Sequence, residues 1–378
     1  MLNALLPFML LAVPDRPSEI AGAIPYFARR YGLTCNACHA NPPKLNAFGE
    51  DFRRTGYQAA GLSPRATVPL ALWVSGRFDA LPEAPNQFDR TRSYVNRIEV
   101  VSGGRVVAPW LSYFVEWRPL SQETRGDGSL RDRSGRFEDL FLTASAGRLA
   151  ITVGQFRQVD QVDVSLRLGL SEPVALAASL PGQPDGTARI TSLRAFSPAG
   201  RSPTVRTAWT QPVGGWAWTS AVAVPFAGEF SLPLTDEARV EASNEFAWDP
   251  KGVVLESFVR RGSTSWGAHG FYDHAGRYLV NGVATGNRAG VYWTTIAGLE
   301  RRGDSTHARW SVEGEYVASR VFALGARVEN RGRDGAPPAA LPYLVAHFPG
   351  TRFTVRLTVE HRVQGDRSAT FVEMGAVF

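Results

Sequence analysis

From Thr67 to the carboxyl terminus, apolar residues recur at every second position. The clearest stretch is 351–363, where Phe353, Val355, Leu357 and Val359 alternate with Arg352, Thr354, Arg356, Thr358, Glu360 and Arg362. A period of two predicts strands with one greasy face and one charged face. The same alternation predicts strands over 161–170, with Val162, Val164, Leu166, Leu168 and Leu170 against Asp163, Ser165 and Arg167, and over 307–318, with Trp310, Val312 and Tyr316 against Arg309, Glu313 and Glu315. No helical period follows Tyr57. A soluble sandwich would bury the apolar face and interrupt the series with crossovers. Segments of about ten residues with apolar-out, polar-in alternation predict instead an all-β fold, a transmembrane antiparallel β-barrel. Its strands number about sixteen, enough to leave an aqueous lumen.

Aromatic side chains near strand ends, Tyr94, Trp110, Trp117, Trp209, Trp216, Trp248, Trp266, Trp293 and Trp310, are candidates for interfacial girdles. Phe378 ends the last strand at the rim. Short turns belong on the periplasmic side and long loops outside. This puts 80–90, 119–135 and 331–340 outside, and 102–104 and 349–350 inside. Phasing from the two ends collides between Ser171 and Leu234, so at least one strand there is miscounted.

The amino-terminal part has a different rhythm. Leu45, Phe48 and Phe52 share one face of a short helix. Leu2 to Val13 is apolar over the length of a signal-peptide core, and Ala21 and Ala23 suit a cleavage site, although Met1-Leu2-Asn3 lacks the usual positive charge. The expected organisation is a signal peptide over 1–23, a small helical segment over 24–60 and a barrel over 67–378. No other apolar run is long enough for a helical span.

Composition changes this picture little. The 41 Lys and Arg against 35 Asp and Glu leave a charge of +6 over 378 residues. They are scattered, which excludes a nucleic-acid footprint. Lys44 and Lys251 are the only lysines, and an arginine-dominated set suits fixed ion pairs in a wet lumen.

The chemistry lies in two cysteines, both spent in Cys35-Asn36-Ala37-Cys38-His39. C-x-x-C-H is the attachment signature of c-type haem: two thiols add to the vinyl groups and the adjacent imidazole takes the iron. The spacing sets both sulfurs on one face about a turn apart. A zinc cage lacks its second cysteine pair, and a redox pair has no need of the trailing histidine. The expected cofactor is one covalent haem c on Cys35, Cys38 and His39, with His39 as its metal ligand.

The ordered elements F-x-R-x-Y-G (from Phe27), the haem motif, P-x-L-N-x-F-G-x-x-F (from Pro43) and Gly56-Tyr57 resemble the amino-terminal domain of outer-membrane fused monohaem cytochrome–porins, the iron oxidases of iron-oxidising bacteria. The resemblance covers about a tenth of the chain. It implies a cytochrome segment plugging its own barrel in a bacterial outer membrane. Electrons would pass from extracellular Fe(II) to a soluble periplasmic cytochrome or other carrier, as an Fe(II):cytochrome c oxidoreductase. The barrel is compact for that family, and 40–43 carry no iron-site carboxylate. A passive diffusion porin with a structural or sensory haem plug is the alternative, and electron export to an external acceptor is a third reading.

The sixth iron ligand is open. Met1 and Met9 leave with the signal peptide, and Met374 faces lipid by parity. His269, His274, His307, His347 and His361 are candidates, beside water or a weak ligand such as Lys44 or Asn41.

Overall fold

The computed structural model describes residues 26–57, 70–82, 90–106, 110–124, 130–162, 166–171, 173–176, 201–234, 236, 247–273, 276–302, 304–330, 337–349 and 354–378. The expected signal peptide at 1–23 and the candidate ligand His274 lie outside them. Sixteen long antiparallel strands close into a barrel, from Ala71–Ala80 to Arg367–Val377, and those two strands seal it by pairing Val377 with Trp73 and Thr370 with Ala80. Two short strands, Leu130–Asp132 and Ala247–Pro250, extend the wall locally. Among the described residues, no helix is long and apolar enough to cross a membrane.

Each wall strand divides two solvents. In Ser305–Val317, Arg309, Glu313 and Glu315 are buried inside while Val312 and Tyr316 stand exposed on the outer surface. Trp110, Trp209, Trp248, Trp266 and Trp293 are likewise exposed, as an apolar exterior with interfacial aromatics requires. This construction places the chain in a bacterial outer membrane. Inside, arginines are paired as their abundance implied: Arg118 meets Glu99, Glu116 and Glu138, and Arg201 meets Glu138 and Asp139.

Two-residue turns at 147–148, 214–215, 262–263 and 289–290 lie at the end that holds Ala71 and Phe378, while the other end has the longest connections beside a two-residue turn at 365–366. By the turn-length rule the short-turn end faces the periplasm.

Three expectations change. The described residues of 161–170, namely 161–162 and 166–170, form no strand. Instead 158–162 and 166–171 run inside the barrel, with Val162 and Leu168 buried, and Val174–Leu176 adds one 3-10 turn. Their apolar side chains pack on an apolar patch of the inner wall, Val159, Val162 and Leu176 against Phe271, Leu279 and Ile296, and Leu168 against Tyr343 and Val345. Removing that strand resolves the phasing collision. Tyr94 is no girdle residue, because its hydroxyl donates to Asp79 at 2.9 Å inside. Ser102–Gly104 and Pro119 lie within strands Thr91–Arg105 and Leu111–Thr124, so the turns begin later than expected.

Candidate cofactor site

The amino-terminal segment sits in the lumen at the short-turn end. Helices Tyr26–Tyr31, Cys35–Cys38 and Ala47–Arg54 are joined by a minimal hairpin that pairs His39 with Leu45 and Asn41 with Lys44. Asn46 holds the motif in shape. Its side-chain oxygen accepts from the Gly49 amide at 3.0 Å, and its amide nitrogen donates to the Asn36 and Ala37 carbonyls at 3.1 Å each. One residue thereby caps the last helix and ties it to the cysteine turn. Gly49 is needed there, since a Cβ would lie 2.0 Å from the Cys38 carbonyl oxygen.

Ion pairs fasten this segment to the wall. Lys44 pairs with Glu315 and donates to the Leu166 carbonyl at 2.6 Å. Arg260 holds Glu50 and Asp51, and Arg53 reaches Asp160 at 3.2 Å. Lys44 is thus engaged and supplies no weak ligand. Rings dock the other flank: Phe27 stacks on Tyr57 at 4.7 Å, and Tyr57 on Phe114 of the wall at 4.9 Å.

Between segment and wall lies a mainly apolar cavity of about 420 Å³, lined by Cys35, Cys38, His39, Leu45, Phe52, Tyr57, Phe114, Phe141, Phe156 and His347. That volume is ordinary for a cofactor pocket, roughly 300–1,000 Å³. Leu45 and Phe52 cover it as their spacing implied, whereas Phe48 is exposed. The cavity is polarised along the barrel axis. Cys35 lies beside Thr354, the first residue of its strand at the short-turn end. Arg157, Arg201 and Arg206 line the cavity from the long-loop half of strands Leu149–Arg157 and Arg201–Val213.

These residues fit a c-type haem. Both thiols open onto one cavity large enough for a flat amphipathic ring, with a polar side away from them where Arg157, Arg201 and Arg206 stand among Glu116, Asp139 and Asp160. His39 Nδ1 donates to the Pro43 carbonyl at 3.1 Å, which leaves Nε2 as the lone pair for a metal, the usual second-shell arrangement. Burial, opposed by bonds to the Pro43 and Lys44 backbone, lowers the His39 pKa to about 4, so the imidazole is neutral. Burial, with Cys35 alongside, pushes the Cys38 thiol up to about 11, and burial also raises Cys35. A protonated thiol is a poor nucleophile.

Of the candidate sixth ligands, His347 alone among those described lines the cavity. His269 bonds Asn281 at 3.0 Å elsewhere in the lumen, His361 bonds Thr370 at 2.9 Å, and Met374 is exposed on the outer surface. Asn46, Gly49 and His347 carry roles that the spacing of the motif alone does not assign.

No protein-family model matches the chain, and no curated protein does. Among solved structures it is similar to OmpF of Salmonella typhi in complex with daunomycin, with TM-score 0.52 and 9% identity over 82% of this chain and 97% of that one. It is also similar to a triple mutant of Rhodopseudomonas blastica porin (TM-score 0.45, 13% identity, 82% and 99% covered). A third likeness is to a loop-deletion mutant of OmpT, an outer-membrane protein of Vibrio cholerae (TM-score 0.40, 10% identity, 82% and 98% covered). The OmpF likeness is one of fold, a porin-like barrel. It carries no sign of a fused cytochrome or of the iron-oxidising family, so that resemblance rests on the residues alone.

Proposed function

We propose that this chain is an outer-membrane electron-transfer protein that holds one haem c covalently on Cys35 and Cys38, with His39 as iron ligand. The cavity onto which both thiols and His39 open carries this reading. When bound, the group supplies reversible one-electron chemistry. The chain's own part is to hold and insulate it: Phe52, Tyr57 and Phe114 exclude water, His39 presents Nε2, and the Lys44–Glu315 and Arg260–Glu50 pairs fix the segment. The cavity's place at the short-turn end suits exchange with a soluble periplasmic cytochrome or similar carrier. Fe(II) as the extracellular donor, and with it an Fe(II):cytochrome c oxidoreductase activity, comes from the family resemblance.

A second reading is favoured by the fold likeness to OmpF: a passive diffusion porin whose amino-terminal segment is a structural or sensory plug. Mixing the purified oxidised protein anaerobically with Fe(II) in a stopped-flow spectrometer tests the first. Saturable growth of reduced haem bands is the expected result. Haem that dithionite reduces and Fe(II) does not would end the iron assignment. Bilayer recordings separate the two readings: a conduit gives a blocked lumen, and a porin gives steady open-pore steps.

A further inference from the structure

We propose that His347 is the second protein ligand to the haem iron, the partner of His39 from the barrel wall. This rests on the haem reading above and deepens it. His347 lies two residues before the end of strand Ala339–Pro349, at the short-turn end, and its side chain enters the cavity that holds His39. The two imidazoles are within electrostatic reach of each other.

The state of the side chain carries the argument. His347 is 1% exposed, and neither ring nitrogen has a well-aligned hydrogen-bond partner, the Arg320 carbonyl alone standing near one of them. Leaving a buried polar group unpaired costs about 1–3 kcal/mol, so such groups are rare without a ligand or water to satisfy them. His269 is as buried in the same lumen but differs, because its Nε2 is bonded to Asn281 and only Nδ1 lacks a partner, and it does not line the cavity. The Arg320 carbonyl lies close enough to receive the second ring N–H, the outer partner that a ligating imidazole normally has. The remaining described candidates are out of place or engaged: Lys44 pairs with Glu315, His361 bonds Thr370, Met374 faces outward, and His307 and Asn41 do not line the cavity.

The consequence is architectural. One axial ligand would come from the amino-terminal segment and the other from a strand more than three hundred residues later, so the iron itself would lock segment to barrel. Two imidazoles give a six-coordinate low-spin iron closed to small ligands, which suits electron transfer and disfavours binding of substrate at the metal.

The test uses the full chain, matured with haem and purified in detergent. Covalent haem is first measured as its pyridine complex, and its absence would overturn the haem reading and this inference together. With haem present, electron paramagnetic resonance of the oxidised protein should show a low-spin iron. His347→Ala should convert it to high-spin with haem content unchanged, and added imidazole should restore the low-spin signal. His347→Met should keep a low-spin iron and move the reduction potential to more positive values. His269→Gln should leave the spectrum as it is. A low-spin signal that survives in His347→Ala, or a high-spin wild type, would overturn the role of His347 and leave haem attachment standing. Gel mobility of the heat-resistant barrel confirms that each variant is folded.

Discussion

Two stretches of chain fill the barrel, and they fill it differently. The inward stretch at 158–162 and 166–171 seats its apolar side chains on the wall, with Val159, Val162 and Leu168 each 5% exposed or less against apolar residues there, and only Asp160 of it reaches the cavity beside the cysteines. The amino-terminal segment is anchored as firmly, by Lys44, Glu50 and Arg53, yet its other face borders a cavity of about 420 Å³. Water fills polar space in a barrel of this size, but a space walled by Phe52, Phe114, Phe141 and Phe156 suits an apolar ligand better than water. On the haem reading proposed above, the contrast marks the space beside Cys35 and Cys38 as the ligand's place, where the other stretch covers the wall with its own apolar side chains.

Removing both attachment points breaks the comparison most completely. Cys35→Ser with Cys38→Ser should abolish covalent haem, read as loss of haem stain on denaturing gels, while heat-resistant barrel mobility persists. Leu168→Ala, in the packed stretch, should leave the haem stain unchanged. Equal loss of haem in both would show that the two stretches do not divide the work in this way.

A second break targets the residue that holds both stretches. Glu315 pairs with Lys44, accepts the Leu168 amide at 2.7 Å and accepts the Tyr343 hydroxyl at 2.8 Å. Glu315→Gln leaves Lys44 buried without its counter-charge, a change worth about 3–5 kcal/mol where a buried pair is broken. Hydrogen exchange should quicken in both 26–57 and 166–171, and quickening in one alone would argue that they are independent.

These residues also show what the sequence could reveal. The strand Ser305–Val317 was legible because lipid on one side and a polar lumen on the other force every second residue to change character. Residues 161–170 alternate as cleanly, and those of them that are described form no strand. Alternation reports two faces but does not say whether the apolar one meets lipid or the inner wall. Tyr94 misled for a related reason, since an aromatic with a hydroxyl serves as well inside, on Asp79, as at the interface. The C-x-x-C-H string stands out because the covalent attachment proposed for it would dictate that spacing. His347 entered only as one of five histidines, since its place beside His39 follows from barrel closure. Gly49 was beyond the spacing argument too, because its need arises from the approach of the Cys38 carbonyl.

That close approach supplies a sharper probe of the segment. Gly49→Ala puts a methyl carbon against the Cys38 carbonyl oxygen, so the helix Ala47–Arg54 must move off the cysteine turn. Overpacking of this kind costs about 1–3 kcal/mol. The expected result is a lower haem yield on maturation and faster proteolysis within 26–57, with the barrel intact. A variant that loads haem like the parent would show that the helix is free to retreat.

The smallest effect comes from Asn46, and it separates geometry from packing. Asn46→Ala removes the cap on the Gly49 amide and both bonds to the Asn36 and Ala37 carbonyls, without adding bulk or touching the cavity wall. Loss of such a cap costs about 1 kcal/mol, and the carbonyls left behind are partly exposed and find water. Asn46→Asp keeps the acceptor for the Gly49 amide and discards the two donors. If the cap alone matters, Asp should restore the parent's exchange rates at 47–54. If the segment depends on tying the cysteine turn to that helix, Asp should behave like Ala, with exchange quickening at 35–38 as well. The second outcome is expected, because Asn46 is the residue whose side chain bonds both parts at once.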